Sequence, residues 1–336
     1  MIKSKDRLRK DKPKAFITGV SGFVASHLVD LLASQDYRIS GIDSAVGLVP
    51  LSEACSAVLV SAVDILDSFV LRKVLKDAEP DYVYHLAGSA FVPDAESDPN
   101  RVYEVNIFGT LNLLEAVRIV RPGARVLIVG SGEVYGAVPD ANQPIREDFP
   151  LRPVTPYGVT KASADLLAYQ YAAAHRLEVI RVRPFNHTGP RQSERFAHSG
   201  FAKQIAEIEK GLREPVLNVG NLDARRDFTD VRDVVRAYQM ILERAQGGDV
   251  YNVGSGKAWR IGDLLKILID RSTIREIKIQ EQKARLRQND IPVMLCDPAK
   301  LEKGLGWKPT ISIEQTMQDL LEYWREKMKI YSEPAP

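Results

Sequence analysis

The sequence predicts an α/β fold in which a doubly wound parallel sheet is followed by a smaller C-terminal α/β lobe. From Lys14 onward, short apolar runs rich in β-branched residues alternate with segments of helical periodicity, which is the pattern of repeated βαβ units. The strand runs are apolar almost throughout, as expected when helices cover both faces of a parallel sheet. The first strand also leads directly into a glycine-containing turn that opens a helix.

Six strands are predicted in the first half of the chain. They lie at residues 15–18, 37–42, 58–60, 82–85, 126–129 and 179–182, and the helices between them lie at residues 24–33, 69–76, 102–120 and 157–175. With the right-handed crossovers that such units form, six parallel strands complete a Rossmann sheet.

The alternation becomes less regular after residue 186. We predict a helix at 196–210, an isolated strand at 216–217, helices at 231–244, 261–270 and 313–327, and a strand at 250–253 that returns to the main sheet. The predicted organisation is a basic, disordered leader over 1–14, a Rossmann domain over 15–185 with returning segments near 226–256, and a discontinuous lobe over 186–330. Because ligands of open α/β sheets bind at the carboxyl ends of the strands, the cleft should lie between that edge and the lobe.

The charge and the hydropathy of the chain argue against two classes of protein, nucleic-acid-binding proteins and membrane proteins. The chain has 336 residues, with 46 Lys and Arg against 44 Asp and Glu. The first fourteen residues hold seven basic and two acidic side chains, so the remaining chain has 39 basic and 42 acidic ones. This body lacks the positive field that drives nucleic-acid binding. No apolar run approaches the length that spans a bilayer, so we expect no membrane association.

The two cysteines, Cys55 and Cys296, are far apart and lack the spacing of metal ligands. We therefore expect neither a disulfide nor a metal site. The charged N-terminus is not followed by a signal-peptide core. Together these features predict a cytoplasmic protein.

The turn after the first strand has the spacing of a dinucleotide-binding turn. Gly19 permits a tight turn, Gly22 lets the backbone approach a pyrophosphate, and the small Ala25 allows the helix to pack closely. The second predicted strand is followed by Asp43, whose carboxylate can accept both hydroxyls of an adenosine ribose. That carboxylate repels a 2′-phosphate, which favours NAD(H), while the nearby Arg38 leaves NADP(H) open.

A second group of residues has the spacing of a catalytic site. Tyr157 and Lys161 are four residues apart on a predicted helix, so they share one face. There the ammonium can lower the pKa of the phenol and bond the nicotinamide ribose, so both residues are also predicted to bind the cofactor. Ser131 follows the fifth strand, and its hydroxyl can bond the carbonyl oxygen that Tyr157 protonates.

Together these motifs resemble those of the extended short-chain dehydrogenase/reductases that act on nucleotide sugars. The shared segments are TGVSGFVA at 18–25, HLAG at 85–88, Asn106, SGEVYG at 131–136, YGVTK at 157–161 and RPFN at 183–186. The runs at 183–193, 201–205 and 219–231 resemble the GDP-mannose dehydratase branch. They are most similar to its reductase members, which convert GDP-4-keto-6-deoxy-D-mannose to GDP-D-rhamnose.

The resemblance implies further site residues. The cofactor contacts that it adds are Ser21, Phe23, Val24, Leu86, Ala87 and Pro184. Asp64 and Ile65 follow the third strand, where they would contact adenine, although a plain strand-end Asp is an equally simple interpretation. For the GDP-sugar, the resemblance implies that Arg226 holds the diphosphate and that Arg287 makes a second diphosphate or base contact. It also implies that Asn186 holds the sugar or nicotinamide side of the cleft. Gln288 follows Arg287 where the family has proline.

Residues 131–133 distinguish between two candidate reactions. A 4,6-dehydratase needs a base at C5 and an acid for the departing C6 hydroxyl. Glu133 can serve as the base, but Gly132 has no side chain to donate a proton. The sequence therefore favours a reductase over a dehydratase. An epimerase or decarboxylase shares nearly all these motifs, and a non-catalytic dinucleotide sensor is disfavoured because Tyr157 and Lys161 are both present.

The predicted helices at 102–120 and 157–175 carry more apolar and small residues than one core face requires. The resemblance implies a homodimer in which these two helices of each subunit form a four-helix bundle. Two ordinary helices that cover one side of the sheet are the alternative.

Overall fold

The computed structural model describes residues 12–44, 58–91, 97–282 and 291–330. Its centre is a seven-stranded sheet in which every neighbouring pair of strands is parallel. The strands are β1 (Lys14–Thr18), β2 (Arg38–Asp43), β3 (Leu59–Ala62), β4 (Tyr82–His85), β5 (Arg125–Val129), β6 (Glu178–Pro184) and the late strand Val250–Val253. The order runs from the late strand through β6, β5, β4, β1 and β2 to β3. The predicted doubly wound sheet is confirmed.

Helices cover both faces of this sheet. They are α1 (Phe23–Ser34), α2 (Ser68–Ala78), α3 (Pro99–Tyr103), α4 (Gly109–Val120) and α5 (Pro156–His175). Side chains alternate across β1, so Ile17 packs in the same cluster as α1 while Phe16 packs in the cluster that contains residues of α2, α4 and α5. The helix predicted over 102–120 is interrupted, because Glu104–Phe108 form a π-helical segment between α3 and α4.

The second half of the chain adds two smaller sheets and further helices. In chain order the elements are β7 (Asn186–Thr188), α6 (Ala197–Glu209), β8 (Val216–Val219), β9 (Arg225–Asp230), α7 (Val231–Arg244), β10 (Val250–Val253, the late strand above), β11 (Ala258–Arg260), α8 (Ile261–Asp270), β12 (Lys278–Glu281), β13 (Val293–Met294), α9 (Ala299–Leu305) and α10 (Ile313–Ile330).

Two expectations about this half need correction. The strand predicted at 216–217 is not isolated, because β8 pairs in parallel with β12. The sequence also missed β9, which joins β7, β11 and β13 in one sheet. Its run RRDFTD is polar at five of six positions, so it lacks the apolar pattern by which the other strands were predicted.

The first strand begins inside the predicted leader. Strand β1 starts at Lys14, and the carbonyl oxygen of Pro13 accepts a hydrogen bond from Arg38 N–H at 2.9 Å. Residues 1–11 of the predicted leader lie outside the described residues.

Cys296 is buried, and Cys55 lies outside the described residues. Within the described ranges, no helix is long and apolar enough to cross a membrane. In the same ranges, no three His, Cys, Asp or Glu side chains come together in a way that would hold a metal ion.

Candidate active site

The turn between β1 and α1 has the shape that its glycines predict. Gly19 has φ +70°, and a Cβ at this position would lie 2.8 Å from the backbone N and Cα of Ala87. Only glycine fits there without strain. Gly22 is the N-cap of α1 and has no side chain to accept hydrogen bonds from the first turn of the helix. The positive end of α1 therefore remains suited to a bound pyrophosphate.

This turn lies on the wall of a large cleft of about 1450 Å³. Most of the residues that were predicted to bind the cofactor line the cleft: Gly19, Ser21, Gly22, Phe23, Asp43, Asp64, Ile65, Leu86 and Ala87. Four predicted contacts do not line it: Val24, Pro184, Tyr157 and Lys161. Val24 packs against the core on α1, and Pro184 is buried at the end of β6.

Asp43 and Asp64 are both held in place by hydrogen bonds. Asp43 Oδ2 accepts a hydrogen bond from Ser21 N–H at 3.0 Å, which fixes the carboxylate against the glycine turn. Asp64 accepts from Leu66 N–H and from Arg101 Nη2, both at 3.0 Å, and these bonds lower the pKa of its carboxyl. Arg101 also lines the cleft. It was not predicted from the sequence because it belongs to no motif.

Tyr157 and Lys161 lie one turn apart at the start of α5, as predicted. Helix α5 begins there because Thr155 Oγ1 accepts a hydrogen bond from Gly158 N–H at 3.0 Å and Pro156 occupies the first turn. The Lys161 ammonium donates to the carbonyl oxygen of Val129, the last residue of β5, at 2.9 Å.

Ser131 is brought to the same place. Its hydroxyl is near enough to the Tyr157 phenol to lower the pKa of that phenol, and its Oγ accepts a hydrogen bond from Glu133 N–H at 3.1 Å. These three polar groups therefore come together at the carboxyl edge of the sheet, beside Gly88, which lines the cleft. A Cβ at Gly88 would lie 3.5 Å from Lys161 Nζ.

The ionisation of these groups differs from the prediction. Burial raises the pKa of Tyr157 to about 12, the Glu133 carboxylate adds to this rise, and the Ser131 hydroxyl opposes it. The lowering that we predicted from Lys161 does not appear, because the removal of the phenol from water sets the direction of the shift. Burial also lowers the pKa of Lys161 to about 8.

A buried chain of hydrogen bonds joins the glycine turn to α5. His85 Nδ1 lies 2.8 Å from Thr18 Oγ1, and its Nε2 lies 2.9 Å from Thr110 Oγ1. Asn106, in the π-helical segment, donates from Nδ2 to Thr160 Oγ1 at 2.9 Å. Thr110 donates its own proton to the Asn106 carbonyl oxygen at 2.6 Å, so Nε2 of His85 must be the protonated ring nitrogen. Burial lowers the pKa of His85 to about 3, which keeps the ring neutral.

Gly132 is tightly enclosed. A Cβ there would lie 3.3 Å from the ring of Phe185, so an added side chain would require that ring to shift. The position between Ser131 and Glu133 therefore offers no acid, and the buried Phe185 occupies the adjacent space.

The predicted substrate residues lie on the smaller sheet. Asn186 in β7 pairs with Phe228 in β9, and Arg226 is two residues before Phe228. Because side chains alternate along a strand, Asn186 and Arg226 lie on the same face of this sheet. Arg226 is buried and donates from Nη1 to the carbonyl oxygen of Arg225 at 2.9 Å. Neither Asn186 nor Arg226 lines the large cleft, and Arg287 lies outside the described residues.

With this geometry established, comparison with known proteins identifies the family. The family model described as GDP-mannose 4,6 dehydratase matches residues 16–320. The chain belongs to this family. The resemblance that the motifs predicted is confirmed.

Curated relatives from this family align with nearly the whole chain. A GDP-6-deoxy-D-mannose reductase from Pseudomonas aeruginosa is 36% identical over 316 residues, which are 94% of this chain and 98% of the relative. A GDP-mannose 4,6-dehydratase from Vibrio cholerae is 28% identical over 371 residues, covering 97% of this chain and 99% of the relative.

Solved structures with a similar fold also align with nearly the whole chain. The structure of RMD from Pseudomonas aeruginosa complexed with NADPH has a TM-score of 0.79 at 34% identity and covers 94% of this chain and 100% of that chain. A Thermus thermophilus UDP-glucose 4-epimerase in complex with NAD has a TM-score of 0.81 at 27% identity, covering 93% of this chain and 98% of that chain. The fold predicted from the sequence is therefore shared by enzymes of known structure.

Proposed function

We propose that this protein reduces the C4 ketone of GDP-4-keto-6-deoxy-D-mannose to GDP-D-rhamnose. The observation that carries the proposal is Gly132, which lies between Ser131 and Glu133 and provides no side chain to protonate a departing C6 hydroxyl. The 36% identity to a GDP-6-deoxy-D-mannose reductase supports the same reaction.

The cleft fits a nicotinamide dinucleotide. Gly19 and Gly22 leave room for the pyrophosphate at the start of α1, Asp43 would accept the adenosine ribose hydroxyls, and Asp64 and Ile65 would contact adenine. When bound, this cofactor supplies the hydride that a ketone reduction requires. We propose NAD(H) as the preferred form because the Asp43 carboxylate repels a 2′-phosphate. The Pseudomonas aeruginosa relative was solved with NADPH.

The residues at the carboxyl edge of the sheet would provide the proton. A phenol with a pKa of about 12 is protonated at neutral pH, so Tyr157 can donate its proton to the C4 oxygen as the alcohol forms. Ser131 would hold the same oxygen by a hydrogen bond. The Lys161 ammonium, fixed to the Val129 carbonyl, would stabilise the phenolate that Tyr157 becomes.

The GDP-sugar would lie between this edge and the smaller sheet. Arg226 would hold the diphosphate with its guanidinium, Asn186 the sugar side, and Arg287 the second diphosphate or base contact. In this proposal the chain divides into a Rossmann domain over 15–185, with segments near 226–256, and a substrate lobe over 186–330. We place the enzyme in the cytoplasm.

A GDP-mannose 4,6-dehydratase is the second candidate, and Glu133 is the observation that favours it. Its carboxylate is close enough to Tyr157 to raise the pKa of the phenol, which is where a base for C5 would have to be. Other relatives are named GDP-mannose 4,6-dehydratase, which supports the same candidate. It is the less favoured reaction because Glu133 alone cannot also act as the acid at C6.

We also propose a homodimer formed through α4 and α5. Large apolar side chains are exposed along this side of the molecule, among them Phe108, Ile119, Leu166 and Tyr169. A four-helix bundle made from α4 and α5 of two subunits would cover these side chains in an isologous interface.

The test is to incubate the purified protein separately with GDP-mannose and with GDP-4-keto-6-deoxy-D-mannose, each with NADH and with NADPH. A reductase consumes reduced cofactor only with the keto sugar, and NMR of the product shows a new hydroxyl at C4. Conversion of GDP-mannose to a 4-keto sugar without net change in the cofactor would overturn the proposal and establish the dehydratase.

A further inference from the structure

We propose that Arg183 and Asp165 are positioning residues that align the helix carrying Tyr157 and Lys161 with the segment carrying Ser131. The inference rests on the proposed function, since it assigns a task to these residues in the same reaction. Neither residue touches the cleft. Their side chains are 5% and 1% exposed.

The pair is a two-point contact between α5 and β6. Arg183 Nε donates to Asp165 Oδ2 at 2.8 Å, and Nη2 donates to Oδ1 at 2.9 Å. Asp165 lies four residues after Lys161 and eight after Tyr157, so all three share one face of α5. Because the guanidinium fork is planar, two parallel bonds fix the direction of the helix as well as its distance from β6.

The remaining nitrogen of the same guanidinium reaches the serine segment. Arg183 Nη1 donates to Tyr135 Oη at 2.9 Å and to the Glu147 carbonyl oxygen at 3.1 Å. Tyr135 ends the short 3₁₀ helix Gly132–Tyr135, whose N-cap is Ser131. One buried side chain thus joins the element that carries Tyr157 to the element that carries Ser131.

Tyr135 is itself held firmly. Its hydroxyl donates to Asn252 Oδ1 at 2.7 Å, and Asn252 Nδ2 donates to the Ile145 carbonyl oxygen at 3.0 Å. The guanidinium of Arg183 also lies 5.2 Å from the centre of the Tyr135 ring. The contact at Arg183 Nη1 is therefore part of a buried network and cannot rotate away without breaking other bonds.

This alignment matters because the two hydroxyls that would meet at the C4 oxygen belong to different elements. Ser131 follows β5, whereas Tyr157 is on α5, and a displacement of about 1 Å between such groups costs on the order of a hundredfold in rate. A support that joins both elements from behind is what such a site requires.

Arg181 provides a matched control. Its Nη1 also donates to Asp165 Oδ1, at 3.0 Å, and its side chain is nearly as buried. Its other contacts are the Gly248 carbonyl oxygen and the ring of Tyr169, neither of which belongs to the serine segment. Arg181 and Arg183 thus share one carboxylate, but only Arg183 reaches Tyr135.

The experiment compares Arg183→Gln, Arg181→Gln and Tyr135→Phe in the full-length protein with reduced cofactor and the keto sugar. We expect Arg183→Gln to lower kcat about 10- to 100-fold, with KM and the Kd of reduced cofactor changed by no more than about twofold. Arg181→Gln should lower the Tm while keeping kcat within about threefold of the wild type. Tyr135→Phe should lower kcat severalfold, and it should also lower the Tm because Asn252 Oδ1 loses its buried donor.

Two results would overturn the inference. One is an equal loss of kcat in Arg181→Gln and Arg183→Gln, which would indicate general destabilisation. The other is an unchanged kcat in Tyr135→Phe, and this variant decides the matter if Arg183→Gln does not fold.

A second readout separates this inference from the proposed function. The phenolate absorbance of Tyr157, measured as the difference between each variant and its Tyr157→Phe counterpart, requires no substrate. Because the Ser131 hydroxyl lowers the pKa of Tyr157, displacement of Ser131 should raise the titration midpoint in Arg183→Gln and not in Arg181→Gln. An unshifted midpoint in Arg183→Gln contradicts the positioning role. Failure of the wild type to reduce the keto sugar contradicts only the proposed function.

Discussion

Lys161 is tied to Val129 by a hydrogen bond of 2.9 Å from its ammonium to the main-chain carbonyl at the end of β5. This bond holds the charged end of the side chain at the carboxyl edge of the sheet, one helical turn from Tyr157. The position takes the ammonium partly out of water, which lowers its pKa to about 8.

The activity should therefore decrease above pH 8 as Lys161 loses its proton. For the wild type we expect kcat to fall about tenfold per pH unit beyond this point, since the neutral amine cannot stabilise a phenolate. Lys161→Arg keeps its charge at these pH values, so its lower residual rate should stay nearly constant from about pH 7 to 10. A parallel decline in both proteins would mean that the deprotonation of another group causes the loss of activity at high pH.

The burial of His85 leads us to predict a loss of stability in mild acid. Burial lowers the pKa of its ring from 6.5 to about 3, and that of His27 and His198 to about 4. Because the unfolded chain takes up these protons near pH 6.5 and the folded chain resists them, their contribution is complete above pH 6.5 and is lost as the pH falls toward 4.

Each such histidine should reduce the free energy of unfolding by up to about 1.4 kcal/mol per pH unit in this window. Urea unfolding at several pH values measures the slope. It should be shallower in His85→Gln than in the wild type. Identical slopes for wild type and His85→Gln would show that His85 is not the source.

Sequence alone predicted the parts of the molecule that follow local patterns. These parts are the apolar parallel strands, the turn at Gly19 and the spacing of Tyr157 and Lys161. They could be predicted because burial on both faces of a sheet and helical periodicity each produce a pattern among residues that are close in sequence. The polar strand β9 was missed because tertiary pairing with β7, β11 and β13, not local composition, makes it a strand.

The electrostatics of the site were also beyond local inference. The pKa of Tyr157 depends on how far the phenol is removed from water, and its rise to about 12 reverses the direction expected from the proximity of Lys161. The contacts of Arg183 with Asp165 and Tyr135 bring together residues 18 and 48 positions apart. Only the folded chain shows that one guanidinium bridges them.

Replacing Gly19 with alanine should destabilise the protein and weaken cofactor binding. The added Cβ would lie 2.8 Å from the backbone of Ala87 at a φ of +70°, so we expect a loss of at least about 2 kcal/mol. Gly123→Ala is the control, since a Cβ there has no described atom within 4 Å. Chemical denaturation and titration with reduced cofactor measure both effects. Equal stability of the two variants would contradict the strained conformation at Gly19.

Asp43 should determine which dinucleotide is used. Asp43→Asn keeps an oxygen to accept the hydrogen bond from Ser21 N–H but removes the negative charge. We expect the ratio of kcat/KM for NADPH to that for NADH to rise about tenfold, because repulsion of the 2′-phosphate disappears. Steady-state kinetics with both cofactors give this ratio. A ratio that does not change would mean that the preference is set elsewhere in the cleft.

Leu166 should be essential for dimer formation through α4 and α5. Its side chain is 58% exposed and lies near the 54% exposed Tyr169 on the same helix, where a second subunit would cover both. Leu166→Glu places a charge in the centre of the apolar interface and should produce monomers in sedimentation velocity at micromolar concentration. Ile279→Glu is the matched control, because Ile279 is 52% exposed but lies on β12, away from these helices. If the wild type already sediments as a monomer, or if both variants dissociate alike, the dimer does not use this face.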